Sequence, residues 1–206
     1  DILRTIYALY AEEEEEDIFE GMTPVEEVVG QRGVVVEVSS SLCRVDLLDG
    51  GRSLVCSLRG ALSAEDTGYT NVVAVGDEVA VSENGSDQGI VERVLPRRSV
   101  LARPDVFYGH LQQVIVANAD QLLVVASWRE PVIWPELVDR YLITAERSNL
   151  SPVICVNKID LAESIADCRA GVRPYLDLDY RVVFASALTG EGTSELRRVL
   201  RGHTTV

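Results

Sequence analysis

The sequence predicts a small closed β barrel followed by a doubly wound α/β sheet. Five short stretches between Gln31 and Leu95 alternate apolar with polar residues, with turn signals between them and no long helical pattern. Beyond Gln112 the pattern becomes near-continuous apolar runs separated by helical periodicity, as in parallel strands buried on both faces. One such run, Pro152–Val156, stops at Asn157-Lys158-Ile159-Asp160. Polar chemistry therefore falls at the carboxyl end of a strand, where open α/β sheets place their ligands.

In chain order, residues 1–30 hold ten acids against Arg4, a net charge of −9 out of −14 for the whole chain. Glu12–Asp17 reads as a solvated, partly disordered leader, preceded by a short amphipathic helix built on Ile2, Leu3, Ile6, Leu9 and Tyr10. The predicted strands are Gly33–Ser39, Leu42–Leu48, Arg52–Arg59, Asp77–Ser82 and Gln88–Leu95. Asp49-Gly50-Gly51, Gly76-Asp77 and Asn84-Gly85 supply turns. A longer connection, Gly60–Ala74, lies between the third and fourth strands and fits an OB-fold, which commonly binds oligonucleotides on one face. Arg32, Arg44, Arg52, Arg59 and Arg93 offer it a basic face or simply a solvated one. The stacking aromatics of single-strand binders are scarce, so contact through phosphate and shape is favoured over base readout.

Pro96–Pro104 closes the barrel and leads into a second unit. Gln113–Asp120 runs into an apolar strand, Leu122–Ala126. Glu136–Ser148 has helical spacing through Leu137, Tyr141, Leu142 and Ala145, with Asn149 placed to end it. The Pro152 strand, a loosely helical Ala162–Leu176, a strand at Val182–Ala185 and a last helix follow, with Thr193 as N-cap and Leu196, Val199 and Leu200 as its apolar face. The expected division is a leader over 1–30, an OB-fold over 31–96, a linker over 97–111 and a partial nucleotide domain over 112–206.

Asn157-Lys158-Ile159-Asp160 has the form of a guanine-reading motif. An ionised Asp160 accepts both donors on guanine's Watson–Crick edge, and adenine presents no such pair. Charge-assisted hydrogen bonds of about 1.5–3 kcal/mol each make that a strong discriminator. Asn157 is expected to tie neighbouring loops together and approach the far edge of the base. Lys158 is expected to lay its alkyl stem along the ring. It is the one lysine among 19 basic residues, in a chain that otherwise uses arginine. A second motif, Ser186-Ala187 followed by Leu188–Gly192, stands directly after the next strand, where the Ala187 N–H is expected to meet the guanine oxygen.

Cys43, Cys56, Cys155 and Cys168 show no C-x-x-C spacing and read as buried free thiols in a reducing compartment. No apolar run reaches the length of a membrane span and no signal-peptide layout begins the chain, so a cytoplasmic protein without membrane contact is expected. The acidic balance argues against nonspecific nucleic-acid binding by the chain as a whole. His110 and His203 stand alone in polar surroundings and read as surface residues.

No Gly-x-x-x-x-Gly-Lys-Ser/Thr phosphate loop and no Asp-x-x-Gly occurs in the 206 residues, although some 150 of them precede the base motif. Base-recognition elements ahead of phosphate elements, behind an OB-fold, resemble one family: the circularly permuted ribosome-assembly GTPases called RsgA or YjeQ. The resemblance runs from about Gln31 to Val206. It rests on the barrel, Arg97–Arg103, Val116–Asp120, Arg140-Tyr141-Leu142, Asn157–Asp160 and Ser186-Ala187. It implies a circularly permuted P-loop GTPase domain, incomplete in this chain. It also implies GTP and GDP as ligands, late maturation of the small ribosomal subunit as the process, and barrel contact with ribosomal RNA by a monomer. By residue it carries over Asn157, Lys158, Asp160, Ser186 and Ala187 as base contacts, and nothing catalytic. Magnesium and zinc are implied for the family, but their ligands are absent from these residues. The alternative is a nucleotide-independent RNA-binding or assembly adaptor.

Overall fold

The computed structural model describes residues 30–39, 41–60, 62, 69–108 and 111–206. The acidic leader up to Val29, its expected short helix, and His110 lie outside the described residues.

Five strands close the barrel: β1 (Gln31–Val38), β2 (Leu42–Leu47), β3 (Ser53–Leu58), β4 (Glu78–Glu83) and β5 (Gln88–Val94). Their order around the barrel is β1-β2-β3-β5-β4. An antiparallel β1–β4 ladder (Gly33 opposite Val79) and a parallel β3–β5 ladder (Cys56 opposite Gly89) complete the circle. Alternation sends Val35, Val45, Leu54, Cys56, Val79, Val81 and Val91 inward, each fully buried. Each such aliphatic side chain contributes about 1.5–3 kcal/mol on leaving water.

Cys43 and Cys56 face each other across β2 and β3 as free thiols, and Cys155 and Cys168 are also free and buried. Burial, with Cys43 adding to it, pushes the Cys56 thiol up to about 11, so the reactive thiolate is scarce at neutral pH. We expect a thiol reagent to label none of the four cysteines until denaturant unfolds the chain. Rapid labelling of the native protein would contradict this.

Four of the five barrel arginines offered as a basic face are paired with glutamates. Arg32 pairs with Glu78, Arg44 with Glu37 at 3.1 Å, Arg52 with Glu83 at 3.3 Å and Arg59 with Glu92 at 2.6 Å. Exposed pairs of this kind add little stability, but they neutralise the charge that the sequence offered to a polyanion.

Val100–Pro104, read from sequence as part of a linker, is a strand, β6. It pairs antiparallel with β7 (Gln112–Ala117) in a separate two-stranded ribbon. The connection ahead of β4 docks along β7 with parallel bridges at Tyr69–Gln112 and Val75–Val116. Asn71 holds it there, accepting from the Val114 N–H at 2.8 Å and donating to the Val114 carbonyl at 3.1 Å. At the turn into β4, Gly76 has φ +88°, and a Cβ there would stand 2.0 Å from the Ala117 carbonyl oxygen, so only glycine fits.

Arg97 and Asp77 fasten this junction. Asp77 is fully buried, and Arg97 donates Nε to Oδ1 at 2.7 Å and Nη2 to Oδ2 at 2.8 Å. The Ala74 N–H adds a third bond to the carboxylate at 2.8 Å, and the guanidinium lies over the Tyr69 ring. Asn118, at φ +57°, donates to the Gly76 carbonyl and accepts from the Arg98 N–H.

Three parallel strands, β8 (Gln121–Ser127), β9 (Ser151–Asn157) and β10 (Arg181–Phe184), form a sheet in the order β10-β9-β8. Helix α1 (Pro135–Arg147) joins β8 to β9, and α2 (Ile165–Gly171) and α3 (Arg173–Asp177) join β9 to β10. Val138, Leu142 and Ala145 of α1 pack with Leu122, Val124, Ile154 and Val156 of the sheet, and with Cys168, Val172 and Tyr175. Tyr175 reaches across to donate its hydroxyl to Asp139 at 2.9 Å. Asn149, at φ +54°, ends α1 as its sequence position suggested, and the Leu150 N–H closes back on the Ala145 carbonyl. The loosely helical stretch is two short helices because the turn at Val172 interrupts them ahead of Pro174. Helix α4 (Thr193–Leu200) is capped at Gly192, not Thr193. Thr193 sits one position inside, and its hydroxyl donates to the Gly190 carbonyl at 2.7 Å.

Asp120 ties the last residues to this sheet. Its carboxylate accepts from the Thr204 N–H at 2.8 Å and from Arg98. These bonds, the Thr204 N–H first, hold its pKa below the usual carboxylate value. A depressed folded-state pKa means the stabilisation is complete above about pH 4 and is lost as pH falls through the lower folded value. Hydrogen exchange at the Thr204 amide should therefore accelerate, relative to other amides, below about pH 4. Asp120→Asn should abolish that step.

Candidate functional site

The carboxyl ends of β8, β9 and β10 converge, and the predicted site residues stand on the loops that leave them. After β9 the chain turns at Lys158, held at φ +61°, into a single 3-10 turn, Ile159–Leu161. A left-handed lysine costs energy and persists only where its surroundings fix it. Here the buried Ile159 side chain anchors the corner from below, and its N–H reaches the Ala185 carbonyl at 3.3 Å. The Lys158 ammonium donates to the Glu130 carbonyl of the β8–α1 loop.

The loop after β10 is wound tightly. Ser186 is fully buried; its N–H reaches the Glu191 carbonyl at 2.9 Å and its own carbonyl accepts from Gly190 at 2.8 Å. Gly192 closes the loop at φ +71°, where a Cβ would lie 1.9 Å from the Phe184 carbonyl oxygen.

Two hydrogen bonds join the loops. The Ser186 hydroxyl donates to Asp160 Oδ1 and accepts from the Thr189 N–H at 3.1 Å. Asn157 Oδ1 accepts from the Ala187 N–H at 3.1 Å. Asn157, Lys158, Asp160, Ser186 and Ala187 are thus brought into one cluster. Asp160 is exposed and its Oδ2 accepts no hydrogen bond among the described residues, so the carboxylate faces outward with acceptor capacity to spare. The Ala187 N–H, by contrast, is already engaged by Asn157, and an incoming acceptor must share or displace that bond.

Sequence reasoning missed the wall formed by the β8–α1 loop. The Trp128 N–H donates to the Asn157 carbonyl at 2.8 Å, and Glu130 supplies the carbonyl that holds Lys158. The signal was available: Trp128–Trp134 follows an apolar strand at the same carboxyl edge as the two motifs. Among the described residues no group of three or more His, Cys, Asp or Glu side chains is placed to hold a metal ion. Among those residues magnesium and zinc find no fitting ligand set.

A closed five-stranded barrel followed by a parallel sheet with base-motif loops at its carboxyl edge defines the OB-fold plus circularly permuted GTPase architecture. The family model for the RsgA GTPase matches residues 94–206, more than half of the chain. The chain belongs to the RsgA GTPase family. It is similar to the small ribosomal subunit biogenesis GTPase RsgA of Sodalis glossinidius, at 38% identity over 179 residues, covering 85% of this chain and 49% of that protein. The RsgA of Thermotoga neapolitana is 30% identical over 177 residues, covering 85% of this chain and 55% of the relative. Among solved structures, YjeQ from Thermotoga maritima superposes with a TM-score of 0.69 at 30% identity, over 85% of this chain and 58% of that one. YloQ, a circularly permuted GTPase, shares the fold at a TM-score of 0.64 and 23% identity, over 85% of this chain and 58% of that one. The chain spans about half the length of the curated relatives it matches.

Proposed function

We propose that this chain carries the guanine-reading part of a GTP site in a GTP hydrolase that acts on the small ribosomal subunit during its biogenesis. The observation that carries the reading is the fastening of the two base-motif loops. Ser186 orients Asp160 through one carboxylate oxygen and leaves the other outward. Asn157 bridges to the Ala187 backbone. Pre-orientation of this kind lets an outward-facing carboxylate tell guanine from adenine without first being reoriented itself. Asn157, Lys158, Asp160, Ser186 and Ala187 are the proposed base contacts. GTP hydrolysis, the ribosomal partner and its RNA belong to the proposal at the level of the whole protein, as the relatives' names suggest.

Base contacts alone hold a nucleotide no better than about millimolar, some 4 kcal/mol. The test is accordingly a titration at millimolar concentration, following backbone amide resonances with GMP and with AMP. GMP should shift Lys158, Asp160 and Ala187 and leave barrel residues still, while AMP should shift none of them. Equal responses to both nucleotides would remove the guanine reading.

A further inference from the structure

A cleft of about 550 Å³ opens where three parts of the chain meet, away from the guanine loops. Tyr69 lines it from the connection ahead of β4, Arg97 and Arg98 from the stretch that leaves the barrel, and Arg147 and Ser148 from the end of α1. The volume suits a small metabolite, and junctions between packed units are where such pockets gather. Three guanidinium groups line the cleft and no described Asp or Glu does. The acids that answer two of them lie outside the lining: Asp77 holds Arg97, and Asp120 holds Arg98.

Those bonds fix the donors without using them up. Arg97 spends Nε and Nη2 on Asp77 and the Val72 carbonyl, and its Nη1 meets no acceptor among the described residues. The side chain is only 12% exposed, yet no described buried side-chain nitrogen lacks a partner. Nη1 therefore keeps an opening to solvent, and the cleft that Arg97 lines supplies it. Arg98 likewise engages Nη1 and Nη2 and leaves Nε. The Ser148 hydroxyl and the Gln112 side-chain amide, also in the lining, make no hydrogen bond to the described residues. The wall at α1 has the other polarity, because the carbonyl end of a helix carries the negative pole of its dipole.

We propose that this junction cleft binds a small hydroxylated oxyanion, a metabolite whose carboxylate or phosphate group meets Arg97 Nη1 and Arg98 Nε. Planar guanidinium edges match the oxygens of both groups. A donor already held by a buried carboxylate needs no ordering when the ligand arrives. The anion turns toward Arg97 and Arg98, and the ligand's hydroxyl groups turn toward Ser148 and the carbonyl end of α1. Bound there, the ligand spans the barrel exit and the helix, so it stabilises the folded chain by mass action. The site is independent of the guanine reading. The seven residues of β9 separate its first residue, two beyond Asn149 of the cleft, from Asn157, about 20 Å of strand.

The test titrates the purified protein with citrate and with glycerol 3-phosphate, following backbone amide resonances, with sodium chloride at matched ionic strength as the control. Saturable shifts at Ser99, Ala102, Ser148 and Asn149, with a rise in melting temperature, are the expected result. Two variants remove the site without touching the buried ion pair. Ala102→Glu sets a carboxylate on the half-buried β6 wall, and Arg98→Gln removes the Nε donor. Each should weaken binding about tenfold or more, with circular dichroism confirming the fold, while Arg44→Gln on the barrel should bind as the parent does. A response to citrate alone assigns the site to carboxylates, and one to glycerol 3-phosphate alone assigns it to phosphate esters. If neither ligand shifts these amides, if chloride reproduces the shifts, or if both cleft variants bind like the parent, the proposal is refuted. The GMP titration decides the guanine reading separately, since it follows Lys158, Asp160 and Ala187.

Discussion

Arg97→Ala is expected to cost about 3–5 kcal/mol, because it strands a fully buried carboxylate at Asp77 without its counter-charge. For a chain of this size that corresponds to a melting temperature lower by about 6–20 °C. The side chain of Arg97 is 12% exposed and that of Asp77 0%, so solvent screens the pair little. The exposed pair of Arg52 with Glu83 sets the comparison, and Arg52→Ala should cost no more than about 1 kcal/mol. Arg97→Met combined with Asp77→Leu should recover part of the loss, since an apolar pair leaves no orphaned charge. Thermal and urea unfolding of the four proteins would check this. Equal losses for Arg97→Ala and Arg52→Ala would mean that the junction is not held by its buried ion pair. The damage should also spread beyond the barrel. Arg97 also donates to the Val72 carbonyl, and the 69–77 connection it secures is hydrogen-bonded to β7.

Asp160→Asn should weaken binding of guanine nucleotides by about tenfold or more, with loss of at least one charge-assisted hydrogen bond of roughly 1.5–3 kcal/mol. It should also turn preference toward xanthine nucleotides, whose 2-oxo group accepts from the new amide where guanine's amino group is repelled. The loop itself should survive, because an asparagine Oδ1 still accepts the Ser186 hydroxyl. Competition between guanine and xanthine nucleotides for the variant measures the switch directly. An unchanged preference would take Asp160 out of the base site. Ser186→Ala gives a graded companion, since it leaves Asp160 in place but removes the hydroxyl that orients it.

Much of the architecture was legible in the chain because it depends on near neighbours. Alternation from Gln31 to Leu95 marks strands half-buried on a barrel, and the unbroken apolar runs at Leu122, Val153 and Val182 mark the parallel strands, of which the central Val153 strand is the most fully covered, whereas Val125 on the edge strand is 59% exposed. Asn149 signals the end of α1 because a left-handed residue is a local requirement. Asn157–Asp160 and Ser186-Ala187 stand out because each follows directly on such a strand. The strand β6 was hidden because five residues between Arg98 and Pro104 carry too short a pattern to separate from a linker.

What the sequence by itself determined is the five barrel strands, the three parallel strands with helices between them, their order and the edge of the sheet on which the base motifs stand. Only the tertiary structure decided which charges remain available. Arg32 meets Glu78, Arg52 meets Glu83 and Arg59 meets Glu92 across 31 to 46 residues of chain, and Arg97 finds Asp77 twenty residues away. Likewise, whether the Ala187 N–H is free depends on Asn157, 30 residues earlier. Periodicity records which way a side chain points, whereas Coulomb and hydrogen-bond energies depend on distances that exist only once the strands are registered.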